Sequence, residues 1–145
     1  MNILFRRATS EDVEAIVDLC NECFFENTSL EYAKKSFEQT KNDPNQIYLV
    51  GIMDGKIIAH VKITVIPTMY EKMNTYSILN HVCVKEEYRR HNIATKMLDE
   101  CTKISKEMGC VAMELWSNNT RVPAHACYKH YGFVVNDAKF FSKAI

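Results

Sequence analysis

Glycine is scarce in this sequence, with four among 145 residues. That scarcity removes whole classes of phosphate-binding enzyme. A P-loop needs Gly-x-x-x-x-Gly-Lys-Ser/Thr, and a dinucleotide fold needs Gly-x-Gly-x-x-Gly after its first strand. Neither pattern is present, which argues against an NTPase or a dinucleotide enzyme. An excess of either charge is also missing: Lys plus Arg equals Asp plus Glu at 18 each, for a net charge of zero. The balance gives no electrostatic reason to expect nucleic acid or an anionic membrane as partner. Long apolar runs are absent too. The longest, Ile57–Pro67, is broken and well short of the roughly 20 residues that span a bilayer. The opening Met1–Arg7 lacks the basic-then-apolar layout of a signal peptide and reads as a first strand. The cytoplasm is the expected location.

Cysteine, by contrast, is plentiful: Cys20, Cys23, Cys83, Cys101, Cys110 and Cys127. Without a signal layout these read as free thiols. Cys20-Asn21-Glu22-Cys23 is an isolated CxxC with no second pair at metal-binding spacing. Cys20 continues the apolar face of Ile16 and Leu19, so packing is the expected role. No metal is implied. The length fits one domain, residues 1–145, able to bury its own core. At 47% hydrophobic and 25% charged, the composition is that of an ordinary soluble protein.

Periodicity supplies the element order. Ile3–Ala8 alternates as a strand, and Thr9-Ser10-Glu11-Asp12 offers caps before Val13, Ile16, Val17 and Cys20 at helical spacing. A second helix is expected over Ser29–Asn42, ended by Asp43-Pro44. Gln46–Met53 and Lys56–Ile66 read as strands joined by a tight Asp54-Gly55 turn. Thr75–Val84 is a further β-rich run. Ile93, Met97, Cys101, Ile104 and Met108 then mark one face of a helix closed by Gly109. Cys110–Trp116 reads as a buried strand, Val122–Tyr131 as a short helix, and Phe133 onward as a final strand or hairpin. The order β-α-α-β-β-β-α-β-α-β makes a mixed α/β domain without repeat or linker.

Chemistry concentrates where Val82-Cys83-Val84 runs through Lys85-Glu86-Glu87-Tyr88 into Arg89-Arg90-His91-Asn92-Ile93-Ala94-Thr95. A strand enters a basic turn that opens a long amphipathic helix. The first helical turn has amides without intrahelical acceptors, and the helix dipole adds partial positive charge there. Such an end binds phosphate. Asn92 and Ala94 are small enough, or tolerant enough of left-handed backbone, to let an anion approach, and Thr95 adds a hydroxyl. The pattern alone leaves a merely solvated surface helix equally open.

Arg89-Arg90-His91-Asn92-Ile93-Ala94 resembles the Arg/Gln-x-x-Gly-x-Gly/Ala signature of the GNAT-type N-acetyltransferase superfamily. Downstream, Ala124-His125-Ala126-Cys127-Tyr128-Lys129-His130-Tyr131-Gly132-Phe133 resembles the family's second signature, Ala-(His)-x-x-Tyr-x-x-x-Gly-Phe. The two fall in family order, and the elements match over essentially the whole chain. The resemblance implies an acyl-CoA N-acyltransferase fold, a mostly antiparallel central sheet flanked by about four helices. It implies acetyl-CoA as co-substrate and a primary amine, small molecule or peptide, as acceptor. Pantetheine would pair with Val82, Cys83 and Val84. Pyrophosphate would rest on the turn from Arg89 to Thr95, that is Arg89, Arg90, His91, Asn92, Ile93, Ala94 and Thr95. Tyr128 matches the tyrosine that protonates the departing thiolate.

Two departures stand out. Asn92 replaces the usual glycine, and Asn is the non-glycine residue that best tolerates positive φ. The glutamate that many relatives carry on the fourth strand has no counterpart in Leu79-Asn80-His81. Asn80 would only position a water; His81, an imidazole, can accept a proton near neutrality. Strand alternation sets His81 on the face opposite Asn80. His125 and His130 do not share a helical face, so they make no metal pair, and Cys127, turned away from Tyr128, is expected in the core. The alternative reading is a non-catalytic CoA-binding sensor or regulatory module. The acceptor, and whether the chain is monomer or homodimer, stay open; Phe24, Phe25, Glu26, Tyr32, Tyr70 and Glu71 are candidates to line the acceptor pocket.

Overall fold

The computed structural model describes residues 2–145, so Met1 of the expected first strand lies outside them. Five strands form one sheet in the order β1-β2-β3-β4-β5. They are β1 (Leu4–Arg7), β2 (Gln46–Met53), β3 (Lys56–Ile66), β4 (Tyr76–Val84) and β5 (Met113–Leu115). The first four pair antiparallel; β5 joins β4 in parallel over three residues, Ser77–Leu79 against Met113–Leu115. The helices are α1 (Val13–Phe24), α2 (Leu30–Thr40), α3 (Ile93–Glu107) and α4 (Val122–Tyr131). The expected mixed α/β class holds, with a mostly antiparallel sheet and four helices.

Local chemistry explains the joints. Asp54 and Gly55 both have positive φ, 53° and 74°, which is the primed turn that matches strand twist in a two-residue hairpin. Ser29 caps α2 by accepting the Tyr32 amide at 3.1 Å. α1 stops at Phe25, a left-handed residue with φ 53° that turns the chain toward Glu26.

The core lies between β2, β3 and β4 and the buried face of α3. Ile47, Ile58, Val61, Ile63, Leu79, Met97 and Leu98 are essentially inaccessible. Burying each of the larger ones contributes about 1.5–3 kcal/mol. The α3 face includes Leu98 and Ser105 beside the expected Ile93, Met97 and Cys101. Ser105 is tolerated there because its hydroxyl bonds that of Ser77 at 2.8 Å.

The entry to α1 is fixed by charge. Arg6 grips Asp12 through two hydrogen bonds, 2.6 and 3.0 Å, and the Thr9 amide adds a third at 2.7 Å. The Arg6 hydrogen bond outweighs burial and lowers the Asp12 carboxyl from 3.8 to about 2. A depressed carboxylate contributes stability above its unfolded value and loses it as pH falls through the folded one. Asp12→Asn is therefore expected to cost about 1–2 kcal/mol at neutral pH, reduced from the full shift because Arg6 is solvent-accessible. Urea unfolding should show that difference shrinking between about pH 4 and pH 2.

Two expectations are corrected at the far edge. Cys110–Trp116 is not a buried strand: only Met113–Leu115 pairs, and Val111 and Trp116 are exposed. Phe133 onward forms no strand or hairpin among the described residues. With no sixth strand beside it, β5 remains an edge, and Val134, Val135, Phe140 and Phe141 stay exposed. Phe140 reaches back to the Trp116 ring at 5.4 Å, covering part of it.

Candidate active site

Strand β4 separates from β5 beyond Leu79. On its other side the β3 register jumps from Lys62↔Asn80 to His60↔Cys83, so Val61 faces two residues where alternation allows one. The extra residue is His81, with φ 53°. Alternation continuing from Ser77 and Leu79 would aim His81 into the sheet's buried face. The bulge interrupts it and turns the imidazole outward. The expected His81–Asn80 opposition therefore does not apply, and Asn80 stays half-buried within the strand.

Outside the sheet, His81 meets Glu26, one of the residues expected to line an acceptor pocket, though nothing in the local pattern paired the two. Its Nε2 lies 3.0 and 3.2 Å from the two Glu26 oxygens, across 55 positions of sequence. Phe24 packs edge-on to the imidazole with ring centroids 5.0 Å apart. The Arg121 guanidinium lies over the other part of that ring, 4.7 Å from its centroid. Glu26, His81, Phe24 and Arg121 thus form one wall, assembled from the end of α1 and the loop after it, the β4 bulge and the head of α4.

Tyr128 lies on α4, 8% exposed, with its ring edge-on to Phe133 at 5.9 Å. No buried side-chain oxygen or nitrogen lacks a partner among the described residues. The Tyr128 hydroxyl, which bonds to none of them, therefore faces accessible space. Burial pushes its pKa above the usual phenol value, with Arg121 pulling the other way. It is protonated at neutral pH. Tyr131, three residues on, is committed elsewhere, to Asp99 and Thr102 at 2.8 Å each. Cys127 is only partly buried, not a core residue as expected, because α4 presents that side to the surface. His125 bonds the Ser117 hydroxyl at 3.1 Å, away from His130.

After Val84, a short 3₁₀ turn at Glu86–Tyr88 leads into Arg89–Asn92. Arg90 and Asn92 both take left-handed backbone, φ 65° and 64°. Lys96 donates the first intrahelical bond, to the Asn92 carbonyl at 3.1 Å. The amides of Ile93, Ala94 and Thr95 are left without an intrahelical acceptor. Arg90, His91 and Asn92 are exposed around them, while Ile93 is buried as an anchor. Arg89 is drawn back instead: its Nε donates to the Val84 carbonyl at 2.9 Å and Nη2 lies 3.7 Å from Cys23 Sγ. It braces the strand exit. Val82 is half-buried and Cys83 and Val84 are buried on the strand leading there.

The acetyltransferase (GNAT) family matches residues 13–133, and the chain belongs to that family. The fold is shared at full length with solved structures of low identity. Glucosamine-6-phosphate N-acetyltransferase from Arabidopsis thaliana is 17% identical, with 99% of each chain covered and a TM-score of 0.82. A transcriptional regulator from Bacillus halodurans C-125 is 18% identical, covering 99% of this chain and 100% of its own, at 0.89. A predicted acetyltransferase from Clostridium acetobutylicum, solved with acetyl-CoA, is 20% identical over 98% of this chain and 96% of its own, at 0.79. No significant match exists among curated protein sequences. Among the described residues, no helix is long and apolar enough to cross a membrane.

Asn92→Gly is informative about the turn. Glycine adopts the same φ without strain, at a cost of about 0.4–1 kcal/mol in unfolded-chain entropy. CoA affinity by calorimetry is expected to be preserved or raised. A drop of tenfold with unchanged folding would assign a ligand contact to the Asn side chain itself.

Proposed function

We propose that this chain transfers the acetyl group of acetyl-CoA to a primary amine by direct attack in a ternary complex. The observation that carries this reading is the pairing of His81 with Glu26 at the β4 bulge, in a wall whose Arg121 also acts on the Tyr128 hydroxyl. The unpaired edge of β4 beyond Leu79 suits an extended amide-bearing arm, and the free amides of Ile93, Ala94 and Thr95 suit a pyrophosphate. Arg90 and His91 add charge beside them. The residues present fit acetyl-CoA.

The division of labour follows. An ammonium must lose a proton before its nitrogen can attack a thioester carbonyl. His81 accepts that proton, and the Glu26 carboxylate at 3.0 Å orients the ring and offsets the charge it gains. The pair supplies the acceptor that the fourth strand lacks as a glutamate. The carbon–sulfur bond breaks as the new carbon–nitrogen bond forms, Tyr128 donates its hydroxyl proton to the departing sulfur, and the acylated nitrogen sheds its second proton to solvent as the neutral amide. Arg121 steadies the phenolate until solvent reprotonates it. Holding amine and thioester together contributes the remaining and larger part of the acceleration.

His81→Ala should lower kcat by about 10²-fold near neutral pH, the low end for a general base. The loss should narrow as pH rises and free amine becomes abundant. Glu26→Gln should cost less, since the imidazole keeps a hydrogen-bonding partner. The test is the pH dependence of kcat for the three proteins with an acceptor amine. A pH-independent ratio near one would remove His81 from the mechanism.

A further inference from the structure

The CxxC on α1 does not stand alone in the folded chain. Cys20 and Cys23 occupy its last two turns; α1 packs on β4, and the Cys23 thiol meets the Val84 carbonyl at 3.7 Å, one residue from Cys83. Cys23 is half-exposed, whereas Cys83 is buried and its thiol donates to the His60 carbonyl at 3.8 Å. The groups around the Cys23 sulfur are few: the Arg89 guanidinium at 3.7 Å from the turn, the Val84 carbonyl at 3.7 Å, Cys83 from β4, and Glu22 on its own helix. A protonated Cys23 donates to the Val84 carbonyl; a thiolate accepts from Arg89. None of this is needed for acyl transfer.

From this geometry we infer that Cys23 is a modification site, a thiolate nucleophile that takes a peroxide and is then linked to Cys83. The Cys23 thiolate attacks one peroxide oxygen, the oxygen–oxygen bond breaks, and the leaving hydroxide takes up a proton as water. The product is a Cys23 sulfenic acid. Cys83 sulfur then attacks Cys23 sulfur, the sulfur–oxygen bond breaks, and the Cys83 proton leaves with the hydroxide as a second water. Two thiols and one peroxide become one disulfide and two waters.

The electrostatics run in the required order. The Cys83 hydrogen bond is the largest influence on Cys23; with Arg89 it outweighs burial and the opposing Glu22, and lowers the thiol from 9.0 to about 7. The neighbouring Cys20 and Cys23 thiols, together with burial, push Cys83 far up, so it stays a thiol, donating to the His60 carbonyl, until an oxidised Cys23 gives it a sulfur to attack. Cys20 is the poorer partner. Helical residues three apart hold their Cβ atoms about 5–6 Å apart, and a disulfide needs about 3.5–4.5 Å. Burial raises the partly exposed Cys110 and Cys127, so neither competes as a thiolate.

The full chain, reduced, is alkylated with iodoacetamide across a pH series and mapped by mass spectrometry. Near pH 7 Cys23 should react about five- to tenfold faster than Cys110 or Cys127. Its greater thiolate fraction outweighs the lower nucleophilicity of a more acidic thiol. Hydrogen peroxide should then yield a Cys23–Cys83 linked peptide that dithiothreitol reverses. In Cys23→Ser that peptide should be lost and Cys83 should remain alkylatable after unfolding. Equal or slower alkylation of Cys23, a Cys20–Cys23 link, or no link at Cys23 would overturn the assignment. Thiol mapping needs neither CoA nor an amine, so this inference and the acyl-transfer reading fail independently.

Discussion

Ala94→Glu is expected to abolish measurable acetyl-CoA binding while leaving the fold intact. Ala94 is the second residue of α3, half-buried, with its amide among those left without an intrahelical acceptor. A glutamate there places a carboxylate where the proposed pyrophosphate would sit. Its bulk blocks approach to the backbone and its charge repels the ligand. The helix itself loses little, because a negative side chain in the first turn complements the dipole. Ala94 touches the core only from its margin, and a long side chain can leave that margin for solvent. The two effects are therefore separable: affinity falls by at least about 100-fold, or roughly 2.8 kcal/mol, while the melting temperature changes little. Calorimetry with CoA and a thermal melt on the same sample decide it. Wild-type affinity in Ala94→Glu would show that the turn is not the phosphate site.

Tyr128→Phe is expected to lower kcat by about 10²–10⁴, the usual range for a general acid. The ring's packing against Phe133 is kept, since phenylalanine fills the same space. The hydroxyl bonds to no described residue, so its removal breaks no structural bond. This distinguishes Tyr128 from Tyr131, whose loss of hydroxyl would strand Asp99 and Thr102. Acetyl-CoA affinity and stability should barely change. Thiolates leave fairly readily unaided, which places the expectation toward the lower end of the range. Turnover within twofold of wild type at saturating substrate would end the acid assignment.

What the sequence made legible was what depends on neighbours along the chain. Asp54-Gly55 announced its turn because both residues tolerate positive φ. The α3 face followed from its spacing, and Asn92 took the left-handed backbone that its side chain tolerates. The basic turn and Tyr128 came from motif order. What escaped depends on partners remote in sequence. Glu26 reaches His81 only because Phe25 reverses the chain after α1 and a bulge turns His81 out, and neither feature has a composition cue. The CxxC read as packing because Cys83, its third member, is 60 residues from Cys23. The final segment was expected as strand because Phe133, Val134 and Val135 have strand propensity. Propensity alone does not supply a partner, and β5 is too short to template one.

Acetyl transfer itself is the most direct test of the account. Purified protein, acetyl-CoA and a panel of polyamines, amino sugars, amino acids, aminoglycosides and N-terminal peptides would be followed by thiol release and by product mass. The account predicts at least one N-acetylated amine formed in equal amount with free CoA, and lost together with thiol release in Tyr128→Phe. Acetyl-CoA binding without acetylation of any amine would contradict it and leave a CoA-binding module without catalysis.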